Sequence, residues 1–216
     1  MVNIVKVLVP KERYYLKCPY TMTPTRIVVH NTGNDASARN EIDYMIRNDY
    51  ETSFHYAIDD KEIVQGIEEN RNAWHASDGN GKGNREGIAI EICYSKSGGE
   101  RFTKAENNAI ILIVDILNRY CWDIDKVPKH QDYFGKYCPN RTLDLGWDRF
   151  LNDIKEKLLL TRERPFLVGD IIYNTEDLYL HETAGYEGKE LLIGKNTKSV
   201  VKKYHYNKGL YMALVN

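Results

Sequence analysis

A chain of 216 residues carries 30 Lys and Arg against 31 Asp and Glu, for a formal net charge of −1. That length supports one good-sized domain, or a medium domain beside a small one. The balanced charge removes any global drive toward nucleic acid, and no run approaches the roughly 20 apolar residues of a membrane span.

The opening Met1–Pro10 lacks a charged start, a full apolar core and a small-residue cleavage site. It reads as a β-strand in a chain made in the cytoplasm without a secretion signal. Arg26-Ile-Val-Val-His30 is a short buried strand. Asp35–Asn48 reads as a helix with Ala38, Ile42, Met45 and Ile46 on one face. Phe54–Ile58 and Glu62–Gln65 flank Asp59-Asp60-Lys61 as a hairpin. The Gly, Asn and Ser content of Ala76–Gly87 predicts a long loop. Gly87–Tyr94 is a strand with Ile88, Ile90 and Ile92 on one face and Ala89, Glu91 and Cys93 on the other. Thr103-Lys-Ala-Glu106 has the form of a capping box opening a long amphipathic helix. Lys126–His130 is a short strand, and Leu145–Leu160 a last helix. Strands alternating with helices argue for an α/β fold with a central sheet flanked by helices.

The character changes at Thr161-Arg-Glu-Arg-Pro165. Beyond it come five short β-like runs: Phe166–Asn174, Leu178–Thr183, Glu190–Ile193, Val200–Tyr206 and Leu210–Val215. The organisation expected is a catalytic α/β domain over 1–160, a linker over 161–165 and a small SH3-like β module over 166–216. Every acid of that module lies at or before Glu190. Lys195, Lys198, Lys202, Lys203 and Lys208 come after it, next to Tyr204, His205 and Tyr206. The result is either a basic, aromatic binding face or an ordinary solvated surface.

The chemistry-bearing residues lie in the first part. The four cysteines, Cys18, Cys93, Cys121 and Cys138, are scattered without a CxxC pair, unlike a disulfide framework. Only Cys138 has a metal-type neighbourhood, eight residues after His130. His30 closes the strand 26–30. Two imidazoles and a thiolate suffice to hold one Zn²⁺ and leave a fourth position for water. Glu91 is a carboxylate inside an apolar strand, costly to bury unpaired. Its functional reading is a general base, and that of Lys136 is stabilisation of an oxyanion. Each also has a bland reading, as a structural ion pair or a solvated loop lysine.

Ile-Val-Val-His30-Asn-Thr, Ser53-Phe-His-Tyr, Asn72-Ala-Trp-His75, Asn84-Arg-Glu-Gly-Ile-Ala-Ile-Glu91 and His130…Lys136-Tyr-Cys138-Pro resemble the zinc-dependent N-acetylmuramoyl-L-alanine amidases. This is the branch shared by phage endolysins and peptidoglycan recognition proteins, and the match is nearest to prophage endolysins of Gram-positive spore formers. The resemblance covers roughly residues 1–158. It implies a mixed sheet with flanking helices, a zinc at the floor of an open groove, and cleavage of the amide between N-acetylmuramic acid and L-alanine. Carried over by position, His30, His130 and Cys138 are the zinc ligands, Glu91 the base and Lys136 the oxyanion stabiliser. Asn31 stands where many relatives have His. Phe54 stands where some have a catalytic Tyr, which moves the proton-transfer burden to Glu91. Trp74, His75, Asn84 and Arg85 are candidates to line the groove, each equally suited to a structural role, and His55 reads as a packed strand histidine rather than a ligand-orienting one.

The partner implied is bacterial peptidoglycan, with the β module anchoring to a wall polymer. No nucleic acid or membrane insertion is expected, and oligomeric state is left open. The expected setting is the host cytoplasm, with release through a holin pore. A bacterial autolysin with the same activity and a non-catalytic peptidoglycan-binding protein are the alternatives.

Overall fold

A computed structural model describes residues 4–163 and, as backbone, the strands 171–173, 178–183, 187–193, 198–207 and 210–215. By its internal contacts the chain divides into two units, Met1–Leu158 and Leu159–Asn216.

In the first unit β1 (Ile4–Lys6), β2 (Arg26–Asn31), β3 (Tyr56–Ile58), β4 (Ile63–Gln65) and β5 (Gly87–Ile92) form one sheet in the order β1-β4-β3-β5-β2. β3 and β4 pair antiparallel as the expected hairpin; β1–β4, β3–β5 and β5–β2 are parallel. Parallel strands covered on both faces read as unbroken apolar runs. Ile27, Val28 and Val29 of β2, and Ile88, Ala89 and Ile90 of β5, are accordingly all buried.

Helices α2 (Ala38–Arg47), α4 (Gly99–Arg119) and α7 (Trp147–Glu163) supply the covering apolar faces, with α2 giving Ile42 and Met45 and α4 giving Phe102, Ile113 and Leu117. A β-carbon on Gly66 would meet Ile42 Cδ1 and Met45 Cε at 2.7 Å, so glycine is what lets α2 pack this closely. Asp59 joins two elements. Its Oδ1 accepts from the amides of Lys61 and Glu62 in the hairpin turn, and its Oδ2 from the Ala38 amide at the start of α2.

Three local expectations are corrected. α4 begins at Gly99, so Thr103 lies inside it, its hydroxyl donating to the Gly99 carbonyl. Gly98 and Gly99 both adopt positive φ and turn the chain into the helix one turn early. Glu106, read as the capping acid, is instead buried and accepts from Arg149 of α7 at 2.7 Å. Lys126–His130 is not a strand: Ile124–Lys126 is a 3-10 turn, and one parallel bridge, Lys129 to Val29, is all that pairs. Within the expected loop 76–87, residues Lys82–Glu86 form a short helix, α3.

α7 continues to Glu163, so residues 161–163 of the expected linker are helical, while 164–165 lie outside the described residues. In the second unit β6 (Ile171–Tyr173), β9 (Lys198–Asn207) and β10 (Leu210–Val215) form an antiparallel sheet in the order β10-β9-β6. β7 (Leu178–Thr183) and β8 (Glu187–Ile193) form a separate hairpin. The basic, aromatic side-chain face expected after Glu190 lies outside the described residues. Among the described residues no helix is long and apolar enough to cross a membrane.

Candidate metal centre and cleft

β2 and β5 run parallel, with His30 directly across from Glu91 in register. Both sit one residue before the carboxyl ends of their strands, the edge where open α/β sheets place ligands. Ala57 of β3 flanks Glu91 on its other side and takes up little room.

The outer edge of β2 holds the remaining donors. The Val29 amide donates to the Pro128 carbonyl, and the His130 amide donates to the Val29 carbonyl, which sets His130 beside His30. The one-turn helix α5 (Gln131–Phe134) then ends at Gly135 in the left-handed conformation. The Gln131 amide donates to the Cys138 carbonyl at 3.0 Å, closing the loop and returning Cys138 to the imidazoles. Asn31 anchors the helix beyond Cys138. Its Oδ1 accepts from the Thr142 amide and its Nδ2 donates to the Thr142 hydroxyl, docking α6 (Asn140–Leu145) on β2. Polar clamping is thus what occupies the position where many relatives carry His.

His30, His130 and Cys138 are all buried, each with a ligand atom within 4.8 Å of the others. His30 Nδ1 lies 3.1 Å from His130 Nδ1 and 3.9 Å from Cys138 Sγ. A tetrahedral zinc with bonds of about 2.0–2.1 Å to nitrogen and about 2.3 Å to sulfur implies edges of about 3.3 Å and about 3.6 Å. The donor set therefore fits the ion in both type and spacing. Burial, with neighbouring His75, His130 and Lys136 adding to it, holds His30 well below the ordinary imidazole range. Burial, and then Lys136, also lowers His130. Both rings are neutral at neutral pH and free to donate a lone pair. Burial pushes the Cys138 thiol up to about 11, with Glu91 adding to the shift, so binding a cation here displaces a proton.

Glu91 is raised to about 8, first by burial and then by Glu41, with Lys136 opposing. Its Oε2 is buried without a hydrogen-bond partner. An orphaned carboxylate oxygen beside a neutral donor set is costly unless a cation or a proton compensates it.

These groups line a cavity of about 500 Å³ together with Asn31, Thr32, Glu51, Thr52, Trp74, His75, Ser77, Gly79, Asn84 and Lys136. Lys136 is exposed at its rim. Trp74, His75 and Asn84 are among these lining residues, and two of them also support the site. His75 Nδ1 lies 3.0 Å from His30 Nε2, so it takes the proton of that ring nitrogen when Nδ1 carries a metal. Asn84 Oδ1 accepts from the amides of His75 and Ala76, holding that segment in place. Arg85 does not line the cavity; its guanidinium stacks 3.9 Å over Tyr20 and donates to Asn80. His55, expected as a packed strand histidine, is packed but lies just before β3, accepting from the Ala89 amide and donating to the Arg71 carbonyl. Sequence reasoning did not single out Glu51, Thr52 or Ser77, which lie in segments without periodicity.

Fold and site together define an α/β protein with a metal-type donor set at the carboxyl edge of its sheet. The chain belongs to the N-acetylmuramoyl-L-alanine amidase family, whose model matches residues 20–142. It is 54% identical over 159 residues to the N-acetylmuramoyl-L-alanine amidase CwlA of Bacillus subtilis, covering 73% of this chain and 58% of that protein. It is 52% identical over 159 residues to XlyB of the same species, covering 73% of this chain and 50% of that protein. The chain thus spans about half the length of these relatives. The solved structure of PlyL superposes with a TM-score of 0.70 at 53% identity, covering 71% of this chain and 97% of that one. The PlyG catalytic domain does so with a TM-score of 0.70 at 51% identity, covering 73% and 96%.

Replacing Cys138 by Ser is expected to drop zinc content well below one ion per chain after dialysis, read by elemental analysis. Unchanged stoichiometry would remove Cys138 from the donor set. Glu91 generates a second expectation. Folding tightens its hold on a proton, so the stability it contributes is present below its unfolded value and is lost as pH rises through about 8. With chelator present, raising the pH from about 7 to about 9 should lower the unfolding free energy of the wild type by about 1 kcal/mol more than that of Glu91→Gln; the difference separates Glu91 from Lys17, which burial draws down to about 8 and which shifts stability in the opposite sense over the same interval. Urea midpoints of both proteins at the two pH values measure this, and identical pH responses would contradict a buried, protonated carboxyl.

Proposed function

We propose that this chain is a zinc-dependent amidase of the endolysin type, hydrolysing the amide between N-acetylmuramic acid and L-alanine in bacterial peptidoglycan. The observation that carries the reading is the buried His30–His130–Cys138 set sharing one cavity with the partnerless Oε2 of Glu91. His30 Nδ1, His130 Nδ1 and Cys138 Sγ would hold one Zn²⁺. Such an ion, when bound, supplies a Lewis acid and lowers the pKa of water.

The chain's own groups do the rest. Glu91 Oε2, kept basic by burial, takes a proton as the water oxygen bonds to the amide carbon. The C–N bond breaks and the same proton passes from Glu91 to the leaving L-alanine nitrogen. The Lys136 ammonium, at the rim of the cleft, compensates negative charge on the carbonyl oxygen. His75 fixes the orientation of the His30 ring. Trp74 offers an aromatic face to a sugar or peptide.

Purified Gram-positive walls incubated with zinc-loaded and chelated protein are expected to yield new L-alanine amines without new reducing sugars, only when zinc is present. Glu91→Gln should retain zinc and lose roughly 10²–10⁴-fold in rate. New reducing ends would replace the amidase with a glycosidase, and wall binding with no new ends would leave a recognition protein.

The second unit we read as a small SH3-like wall-binding module over 166–216, supported by its five short strands and its lysines after Glu190. Removing residues from 166 onward should weaken co-sedimentation with walls while sparing cleavage of soluble fragments. Equal sedimentation of the shortened chain would exclude an anchoring role.

A further inference from the structure

We propose that Glu51 is the residue that selects the stem peptide, its carboxylate receiving the free ammonium of a diamino residue. The inference rests on the amidase reading above and adds the substrate chemistry of the same cleft.

Three acidic or basic side chains line the cavity other than the ligand set and its neighbouring histidine: Glu91, Lys136 and Glu51. The first two have roles in bond cleavage. Glu51 is exposed and makes no hydrogen bond or ion pair among the described residues. Its neighbours are held far more firmly. Lys17, the last residue of the short helix α1 (Tyr14–Lys17), is fully buried, and its ammonium donates to Asn48 Oδ1 at 2.9 Å and to the Tyr50 carbonyl. Arg13 donates to the Asn48 carbonyl and to Asp49. On the other side of the loop the Ser53 amide donates to the Trp74 carbonyl, and the Ser53 hydroxyl donates to the Lys17 carbonyl at 2.6 Å.

Burying an ammonium is expensive. Burial draws Lys17 down to about 8, yet it keeps its charge at neutral pH. Both of its side-chain hydrogen bonds go to the loop 48–50. The fold therefore accepts that cost to fix a loop, and the two loop residues left untied, Glu51 and Thr52, are the two that line the cavity. A carboxylate on a rigid loop pairs with a cation without first losing loop entropy. One carboxylate offers too few oxygens for a hard metal ion. It does suit an ammonium, and it repels a peptide presenting only carboxylates. Peptidoglycan stem peptides carry an ammonium at their diamino residue.

The test uses zinc-loaded enzyme and two soluble muropeptides that differ only in whether the diamino side-chain amine is free or acetylated. Wild type is expected to favour the free amine by about fivefold in kcat/KM, mainly through KM. In Glu51→Gln the ratio should fall to near one, and in Glu51→Lys it should invert. A loop merely loosened by substitution would slow both substrates alike and preserve the ratio, which would overturn the proposal. Wild type cleaving both substrates equally would also overturn it while leaving the amidase reading intact. Failure to cleave either would remove the amidase reading, and the role of Glu51 with it.

Discussion

The pairing of β2 with β5 is the constraint on which the site depends. Register puts His30 and Glu91 on the same side of the sheet, and the parallel direction of the two strands brings both to its carboxyl edge. A slip of one residue would send one of them through the sheet to the opposite face. The same strand carries the rest: Val29 bonds the segment bearing His130, and Asn31 docks the helix just beyond Cys138. Four chemical groups from distant parts of the chain are thus referred to one strand, buried on both faces and correspondingly rigid.

A single physical cause, loss of water, sets the protonation of all of them. It strips protons from the imidazoles of His30 and His130 and keeps them on the Cys138 thiol and the Glu91 carboxyl. The site without a cation is therefore close to uncharged apart from Lys136 and Glu51. The charge that makes it reactive arrives with the cation.

Much of this is legible in the sequence, for identifiable reasons. His30 and Glu91 interrupt apolar runs, and a polar residue in such a run is conspicuous because burying it costs energy. His130 and Cys138 announce themselves by residue type. What joins them to His30 is not legible: a single bridge to Val29 leaves no periodicity, and 126–130 reads as a strand it does not form. The Thr103–Glu106 pattern matches a capping box, but the positive-φ glycines upstream have already started the helix. Arg85 reads as a polar anchor for the groove, whereas its guanidinium goes to Tyr20 and Asn80 while the Asn84 side-chain amide next to it goes to His75 and Ala76. Lys17 and Glu51 are invisible in the sequence because Lys17 acts through tertiary hydrogen bonds to the loop 48–50 and Glu51 through where that loop places it.

The burial of histidines has a further consequence. His30, His55 and His75 are all held below the ordinary imidazole range chiefly by loss of water, His55 to about 4. Each binds its proton more readily in the unfolded chain, so each contributes stability above its unfolded value near 6.5 that drains away as acidity increases. Three such groups acting together contribute up to about 4 kcal/mol per pH unit once the unfolded rings are protonated, of which Glu91, holding its proton more tightly in the fold, offsets about 1. Set against a total stability of about 5–15 kcal/mol, that makes acid a direct route to unfolding of the metal-free chain.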